Sequence, residues 1–305
     1  MAKIKLAIVG LGKIARDQHL PSLAASDDFE LIGVASPHNA LDGVPSFENL
    51  GGLLDAVPAI DAVSLCTTPQ VRYEIAHLAL ERGLHVMLEK PPGATVSEVV
   101  TLADLAKGRK VTLFASWHSR HAAAVEPARA WLAGRQIRSV TVNWKEDVRV
   151  WHPGQAWIWK AGGLGVFDPG INALSILTRI LPYPLMLQSA ELRFPGNCQT
   201  PIAASLEFRG ATRMELDFLH PGPPCWDIDV DTDAGRLSLA RGGSEMRLNN
   251  EPVPLPHRAE YPSLYARFAE LVRRGSSDVD IAPLQLVADA FLCGQRVEVA
   301  PFVEP

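Results

Sequence analysis

Ile8-Val9-Gly10-Leu11-Gly12-Lys13-Ile14-Ala15 is the stretch that decides how this chain is read. The residues before it, Lys3 to Val9, read as a short buried strand, and a helical pattern follows it toward Ala25. The spacing is G-x-G-x-x-A, that of a dinucleotide-binding turn. Gly10 permits the tight strand-to-helix reversal, Gly12 leaves its backbone bare for a pyrophosphate, and Ala15 lets the helix pack close to the strand. The turn, with Lys13 and Ile14, then presents unpaired N–H groups and a partial positive charge to the phosphates. Glycines also end ordinary strands, but the position after a strand and before a helix favours the binding turn.

Working outward, strand and helix signals alternate as far as about Trp117. Leu31 to Ala35, Ala62 to Cys66, Leu84 to Leu88 and Val111 to Ala115 are apolar, strand-like runs. Between them, Ser46 is expected to cap a helix through Leu54, Gln70 to Arg82 reads as a helix closed by Gly83, and Thr95-Val96-Ser97-Glu98 is a capping box. Such alternation implies parallel βαβ units, buried on both faces, with ligands beyond the carboxyl ends of the strands. After a further helix, Ala122 to Ala133, the pattern changes. Ile137 to Val150, Met186 to Phe194, Ile202 to Phe208, Arg213 to Leu219, Trp226 to Asp231 and Arg236 to Leu239 read as strands of a largely antiparallel sheet with one face covered. Helices are expected at Phe167 to Leu181, Ser263 to Arg274 and Pro283 to Arg296. The expected fold is therefore α/β. It comprises a doubly wound parallel sheet in residues 1–120 and an α+β domain with a large, mostly antiparallel open sheet in residues 121–305.

Composition bounds the function. The 305 residues are 47% hydrophobic and 21% charged, with a net charge of −5. That suits about two globular domains and favours neither nucleic acid nor an anionic membrane surface. No apolar run is long enough to span a bilayer, and Met1-Ala2-Lys3 leads into a strand rather than a signal peptide. The cysteines, Cys66, Cys198, Cys225 and Cys293, are scattered without a C-x-x-C pair, which points to a reducing cytoplasm and away from a zinc site. The helix-free sheet face points to a homodimer or larger assembly.

Several residues stand where chemistry is expected. Ser36, Thr67, Thr68, Glu89, Lys90, Trp117 and His118 lie at strand ends, and the first five are expected to contact the cofactor. An NAD-preferring fold places an acid near Ser36 to hold the ribose 2′-OH. Here Ser36 and His38 offer donors to a 2′-phosphate instead, so NADP is expected to be accepted and preferred, with NAD also usable; an ordinary polar turn is the competing reading. Lys90 is either a solvated loop lysine or a positioned group stiffened by Pro91-Pro92. Glu146 shares a strand face with Val140, Val142 and Trp144, where an unpartnered carboxylate is costly. It is paired internally or placed in a pocket to bind hydroxyls. Four of the seven tryptophans fall in Trp144 to Trp159, around His152. They form a core cluster or, with Trp151 among them, a platform for the apolar face of a sugar ring. Asp168 and Asn172 are spaced i, i+4 and share a helix face. Asp168 before Pro169 also resembles a helix N-cap. His118-Ser119-Arg120-His121 has no metal-ligand spacing, and no metal is expected.

Together these motifs resemble the glucose-fructose oxidoreductase / inositol dehydrogenase family. They are the G-x-G-x-x-A turn, Glu89-Lys90-Pro91, and the Gly-rich run leading to Asp168-x-x-x-Asn172. Trp117-His118-Ser119-Arg120, Trp144-Lys145-Glu146-Asp147 and Trp151-His152-Pro153-Gly154-Gln155 resemble its bacterial aldose 1-dehydrogenase branch, acting on L-arabinose and D-galactose. The resemblance implies oxidation of an aldopyranose at C1 to a lactone with NAD(P)+. It places Lys90 beside both nicotinamide and sugar. The family usually shows D-x-x-x-H where this chain has Asp168 and Asn172, so the base role moves to Asp168, with Lys90 as rival. Asn172 and Lys90 would hold the reacting hydroxyl, and His118, Glu146, Trp151 and His152 the rest of the sugar. Other activities hosted by the same fold are an NAD-dependent glycosidase and a non-catalytic sugar- or nucleotide-sensing regulator.

Overall fold

In chain order, the first elements of the computed structural model are β1 (Ile4–Val9), a π-helical turn (Ala15–His19) running into α1 (Leu20–Ala24), β2 (Phe29–Ala35), β3 (Ser46–Phe47), α2 (Leu50–Ala56), β4 (Ala62–Leu65), α3 (Pro69–Glu81), β5 (His85–Glu89), α4 (Val96–Arg109) and β6 (Leu113–Ser116). There follow α5 (Val125–Leu132), β7 (Ile137–Lys145), α6 (Val148–Trp151), α7 (Phe167–Ile180), β8 (Leu187–Pro195), β9 (Ala203–Phe208), β10 (Thr212–Asp217), β11 (Cys225–Thr232) and β12 (Gly235–Ala240). The last elements are β13 (Glu245–Leu248), β14 (Glu251–Pro252), α8 (Glu260–Arg274), α9 (Ala282–Cys293) and β15 (Gln295–Val299). The structure describes residues 2–303. None of its helices is long and apolar enough, among the described residues, to cross a membrane.

The first compact unit holds residues 1–118 and 259–281. Its six strands are parallel in the order β3-β2-β1-β4-β5-β6, the doubly wound order whose switch point falls between β1 and β4. The capping box at Thr95 is formed: its side chain accepts from the Glu98 N–H, and Glu98 reaches back to the Thr95 N–H. The partition differs from a single cut near residue 120, because α8 packs with this unit. Its stripe of Tyr261, Leu264, Tyr265, Phe268 and Leu271 has helical spacing. The stripe joins Phe29, Met87 and Phe114 in one buried cluster, and each such side chain is worth about 1.5–3 kcal/mol when fully buried.

The second unit holds residues 119–258 and 282–305. Its nine strands run β14-β13-β12-β11-β7-β10-β9-β8-β15. The sheet is mostly antiparallel; β7 with β10 and β8 with β15 are its parallel pairs. Helices α7 and α9 cover one face, while Thr141, Glu207, Arg213 and Glu215 point away from it into solvent.

Three local expectations are corrected. Ser46 does not cap a helix: Ser46–Phe47 pairs with Val34 and Ala35 as β3. The cap is Asn49, whose extended backbone lets its side chain accept from the Gly52 N–H at 2.9 Å. The strand from Ile137 stops at Lys145 rather than Val150. There Asp147 accepts from the Arg149 N–H at 2.9 Å and turns the chain into α6. The last helix stops at Cys293, and Gln295–Val299 adds itself beside β8 as an edge strand. The helix expected after Gly12 is present as far as Ala24, with a π-helical turn over Ala15–His19.

Candidate active site

The first unit assembles the residues read from the turn. Gly10 has φ +91°, and a Cβ there would lie 2.9 Å from the Thr67 backbone nitrogen, so the β1 and β4 ends meet closely only with glycine. A Cβ on Gly12 would meet nothing within 4 Å among the described residues, which leaves its backbone open to a ligand. Thr67, at the end of β4, has a buried Oγ1 with no hydrogen-bond partner among the described residues. A bare turn beside an orphaned hydroxyl fits a dinucleotide pyrophosphate, whose oxygens accept from both. Ser36 ends β2, and its Oγ accepts from the Leu11 N–H at 3.4 Å. His38 is exposed two residues on. Lys13 is exposed and pairs with Asp17, Ile14 is also exposed, and Thr68 is the N-cap of α3.

Glu89 and Lys90 close β5, and the structure turns them differently. Glu89 points into the unit with 4% of its surface exposed. One carboxylate oxygen accepts from the Tyr261 hydroxyl at 2.8 Å and faces His19 Nε2 at 3.1 Å; the other accepts from the Lys90 N–H at 2.7 Å. The fully buried His19 reaches the Tyr265 hydroxyl at 2.7 Å and Ser64 Oγ at 3.2 Å through Nδ1. Burial opposes ionisation of Glu89, yet hydrogen bonding and charge from His19, charge from His118 and the Tyr261 bond outweigh it and bring the carboxyl down to about 2. Burial likewise works against protonation of His19, and the acceptors around it, Cys66, Tyr265 and Glu89, raise it well above its ordinary value. His118 stacks on Tyr261 and faces Glu260 at 2.6 Å.

The second unit brings together Glu146, His152, Asp168 and Trp151. Glu146, the residue after β7 ends, is buried on the side of Val140, Val142 and Trp144, in step with their alternation. It is internally partnered: Trp226 Nε1 donates to one oxygen at 2.8 Å, and His152 Nε2 lies 3.1 Å from the other. The same imidazole turns Nδ1 toward Asp168 Oδ2 at 3.7 Å, so His152 stands between two buried carboxylates. Asp168 does not cap its helix. Helix α7 begins at Phe167, the N-cap is Val166 without a side-chain capping bond among the described residues, and the Asp168 N–H donates to the Gly165 carbonyl at 2.9 Å. The preceding loop is held down at Gly165, where φ is +55° and any Cβ would collide with the Pro201 carbonyl. Half-buried Asn172 follows one turn after Asp168, with no side-chain hydrogen bond among the described residues. Of the tryptophans, Trp144 is core, whereas Trp151 is 42% exposed and stands edge-on to Trp226 with ring centroids 5.0 Å apart.

Sequence reasoning missed His19, Ser64, Arg72, Tyr261, Tyr265 and Trp226. Buried Arg72 donates to the carbonyls of Thr67, Glu89 and Pro91 and so grips the ends of β4 and β5. Trp226 faces Trp144 directly across the β11–β7 pairing, a register that no local pattern announces. For His19 a signal existed: an ionisable residue on an otherwise apolar helix face needs a buried partner.

Two parallel-strand ends meeting at a bare glycine turn are the arrangement of a dinucleotide-binding unit, and the second unit carries a buried carboxylate–imidazole–carboxylate row. Residues 4–116 match the oxidoreductase family with an NAD-binding Rossmann fold, and the chain belongs to that glucose-fructose oxidoreductase / inositol dehydrogenase family. It is 45% identical to the galactose 1-dehydrogenase of Pseudomonas fluorescens across 100% of both chains. The crystal structure of a D-galactose-1-dehydrogenase protein from Rhizobium etli matches with a TM-score of 0.95 and 54% identity over 99% of each chain. A 3-ketoreductase from Actinomadura kijaniata, solved with NADP and TDP-benzene, shares the fold. Its TM-score is 0.85 at 19% identity, over 98% of this chain and 100% of the other.

Proposed function

We propose that this chain is an NAD(P)+-dependent aldose 1-dehydrogenase that oxidises D-galactose and L-arabinose, as pyranoses, at C1 to the aldonolactone. The observation that carries the reading is Asp168. It is a buried carboxylate in the first turn of α7 rather than at its N-cap, set against His152 and one turn before Asn172. The full-length similarity to galactose 1-dehydrogenases supports the sugar class.

In this reading Asp168 takes the proton of the C1 hydroxyl. Lys90 and Asn172 hold that hydroxyl and stabilise its developing negative charge. Lys90 is the alternative base. His152 and Glu146 bind further hydroxyls, with His118 a third candidate, and Trp151 offers an indole face to the C–H side of the ring. Gly10, Gly12, Lys13, Ile14, Thr67 and Thr68 hold the cofactor's phosphates, and Ser36 and His38 its ribose end. Bound NAD(P)+ supplies the hydride acceptor. With no acid at Ser36, NADP+ is the preferred form and NAD+ is also used.

The protein works in the cytoplasm in this account, with all four cysteines free thiols. It assembles as a homodimer through the helix-free sheet face, burying at least ~1,000 Å² in total. Light scattering at micromolar concentration is expected to give a dimer or larger, and a monomer would remove the assembly.

The direct test mixes protein, NADP+ and L-arabinose or D-galactose and follows absorbance of the reduced nicotinamide. Net accumulation marks a dehydrogenase. A glycosidase that returns its hydride, or a sensor that only binds, accumulates none.

A further inference from the structure

The buried polar cluster beneath β5 has no part in the scheme above, and its geometry concerns Lys90. A lysine on a loop ordinarily has a solvated, mobile backbone. Here the Glu89–Lys90 and Pro91–Pro92 peptide groups, on either side of Lys90, are gripped by buried side chains. The Glu89 carbonyl accepts from Arg72 at 2.5 Å, the Lys90 N–H donates to the Glu89 carboxylate at 2.7 Å, and the Pro91 carbonyl accepts from Arg72 again. Each gripping group is itself fixed. The Glu89 carboxylate is held by Tyr261 and His19, and His19 by Tyr265 and Ser64. The His19 ring is flanked edge-on by Tyr261 and Tyr265, with centroids 5.0 and 5.7 Å away. His19 is also the last residue of the π-helical turn that begins at Ala15. One connected row of bonds therefore runs from His19, at the end of that turn, through Glu89 to the Lys90 N–H.

We infer that Glu89, held by His19 and Tyr261, is a positioning residue that fixes the backbone from which Lys90 reaches the substrate, and is not a cofactor ligand. The inference rests on the dehydrogenase reading for the task that Lys90 performs, though the anchoring itself does not. It replaces the sequence expectation of Glu89 as a cofactor contact, because both carboxylate oxygens face inward and are engaged. The groups facing the pair from the packed elements are Cys66, Tyr265, Tyr261 and His118. The depressed Glu89 carboxyl keeps an ionised acceptor available to the Lys90 N–H across the working range.

The test uses the full chain with 15N-labelled lysine, and the variants Glu89→Ala, Glu89→Gln and Tyr261→Phe. In the wild type the Lys90 amide is expected to be downfield and slow to exchange; in Glu89→Ala it moves upfield and exchanges rapidly, and Glu89→Gln restores part of the protection. Turnover in Glu89→Ala falls about 10–100-fold, the scale of a mispositioned group, while cofactor Kd, read by protein fluorescence, stays within about threefold. In a Lys90→Met background the same change alters turnover by less than about twofold, because the residue acts through Lys90. If Glu89→Ala does not fold, Tyr261→Phe, which removes one hydroxyl, must still shift the Lys90 amide and lower kcat. An undisturbed Lys90 amide, a weakened cofactor Kd with kcat retained, or equal losses in both backgrounds would each overturn the inference. The amide and Kd readouts need no turnover, so a wild type that oxidises no aldose ends the dehydrogenase reading separately.

Discussion

Two histidines in this molecule stand against buried carboxylates, and their surroundings differ. His19 in the first unit is wholly buried, and its partners Glu89, Tyr265 and Ser64 engage both ring nitrogens at 2.7–3.2 Å. His152 in the second unit keeps 19% of its side chain exposed. It touches Glu146 at 3.1 Å but Asp168 only at 3.7 Å; the half-exposed Trp151 precedes it in the chain, and one turn after Asp168 the Asn172 side chain is without a hydrogen bond among the described residues. The same pairing of groups thus serves two ends. A closed cluster fixes backbone, because nothing in it is left to exchange with a ligand. In the open one the Asn172 side chain keeps its hydrogen-bonding capacity unmet among the described residues, which suits the proposed binding of a sugar hydroxyl.

Breaking each cluster should therefore fail differently. The largest effect is expected in the open one: Asp168→Asn lowers turnover by roughly 10²–10⁴-fold, the usual worth of a general base, while folding and cofactor affinity survive. Near-wild-type turnover in a well-folded Asp168→Asn protein would pass the base role to Lys90.

In the closed cluster the expected loss is stability. Leaving His19 without its carboxylate in Glu89→Ala should cost about 3–5 kcal/mol in urea unfolding. The pH dependence has a definite sign. The Glu89 carboxyl is depressed from 4.5 to about 2, so its contribution is whole above about pH 4.5 and is lost as pH falls toward 2. His19 is raised from 6.5, so its contribution is whole below about pH 6.5 and fades as pH rises through the folded value. The gap between wild type and Glu89→Ala should then be widest between about pH 4.5 and 6.5 and shrink in acid. A gap that is flat with pH would show that the pair is not ionised.

The smallest expected effect concerns the cofactor. Ser36→Asp brings a carboxylate to the end of β2 and should raise KM for NADP+ about tenfold more than for NAD+, a difference near 1.4 kcal/mol. Equal changes would remove Ser36 from the 2′-phosphate.

The two clusters also differ in how far the sequence reveals them. The open cluster was legible because its residues announce themselves locally. Glu146 breaks the parity of an apolar strand face, and Asp168 and Asn172 share a helix face. The closed cluster was not, because it depends on α8 returning to the first sheet. Tyr261 and Tyr265 lie far along the chain from His19 and Glu89, and an amphipathic stripe does not say which sheet will bury it. For the same reason the sequence reading cut the chain once near residue 120. The misplaced ends of the Ile137 strand and the last helix reflect single competing side chains, Asp147 at one and the β8 edge at the other. The parallel sheet was legible because its strands are apolar throughout and separated by helices.

The central claim is that the open cluster binds an aldose with the galactose arrangement of hydroxyls. L-Arabinopyranose shares that ring stereochemistry and lacks only the exocyclic CH2OH, a small group whose loss costs about 1–3 kcal/mol. D-Glucose inverts C4 and leaves a hydrogen-bonding group of the site unpaired, a heavier penalty. The most direct measurement is kcat/KM with NADP+ for these three sugars. D-Galactose and L-arabinose should both be oxidised, within ~200-fold of each other, with D-glucose below D-galactose. D-glucose as the better substrate, or no reduction of cofactor by any of the three, would contradict the account.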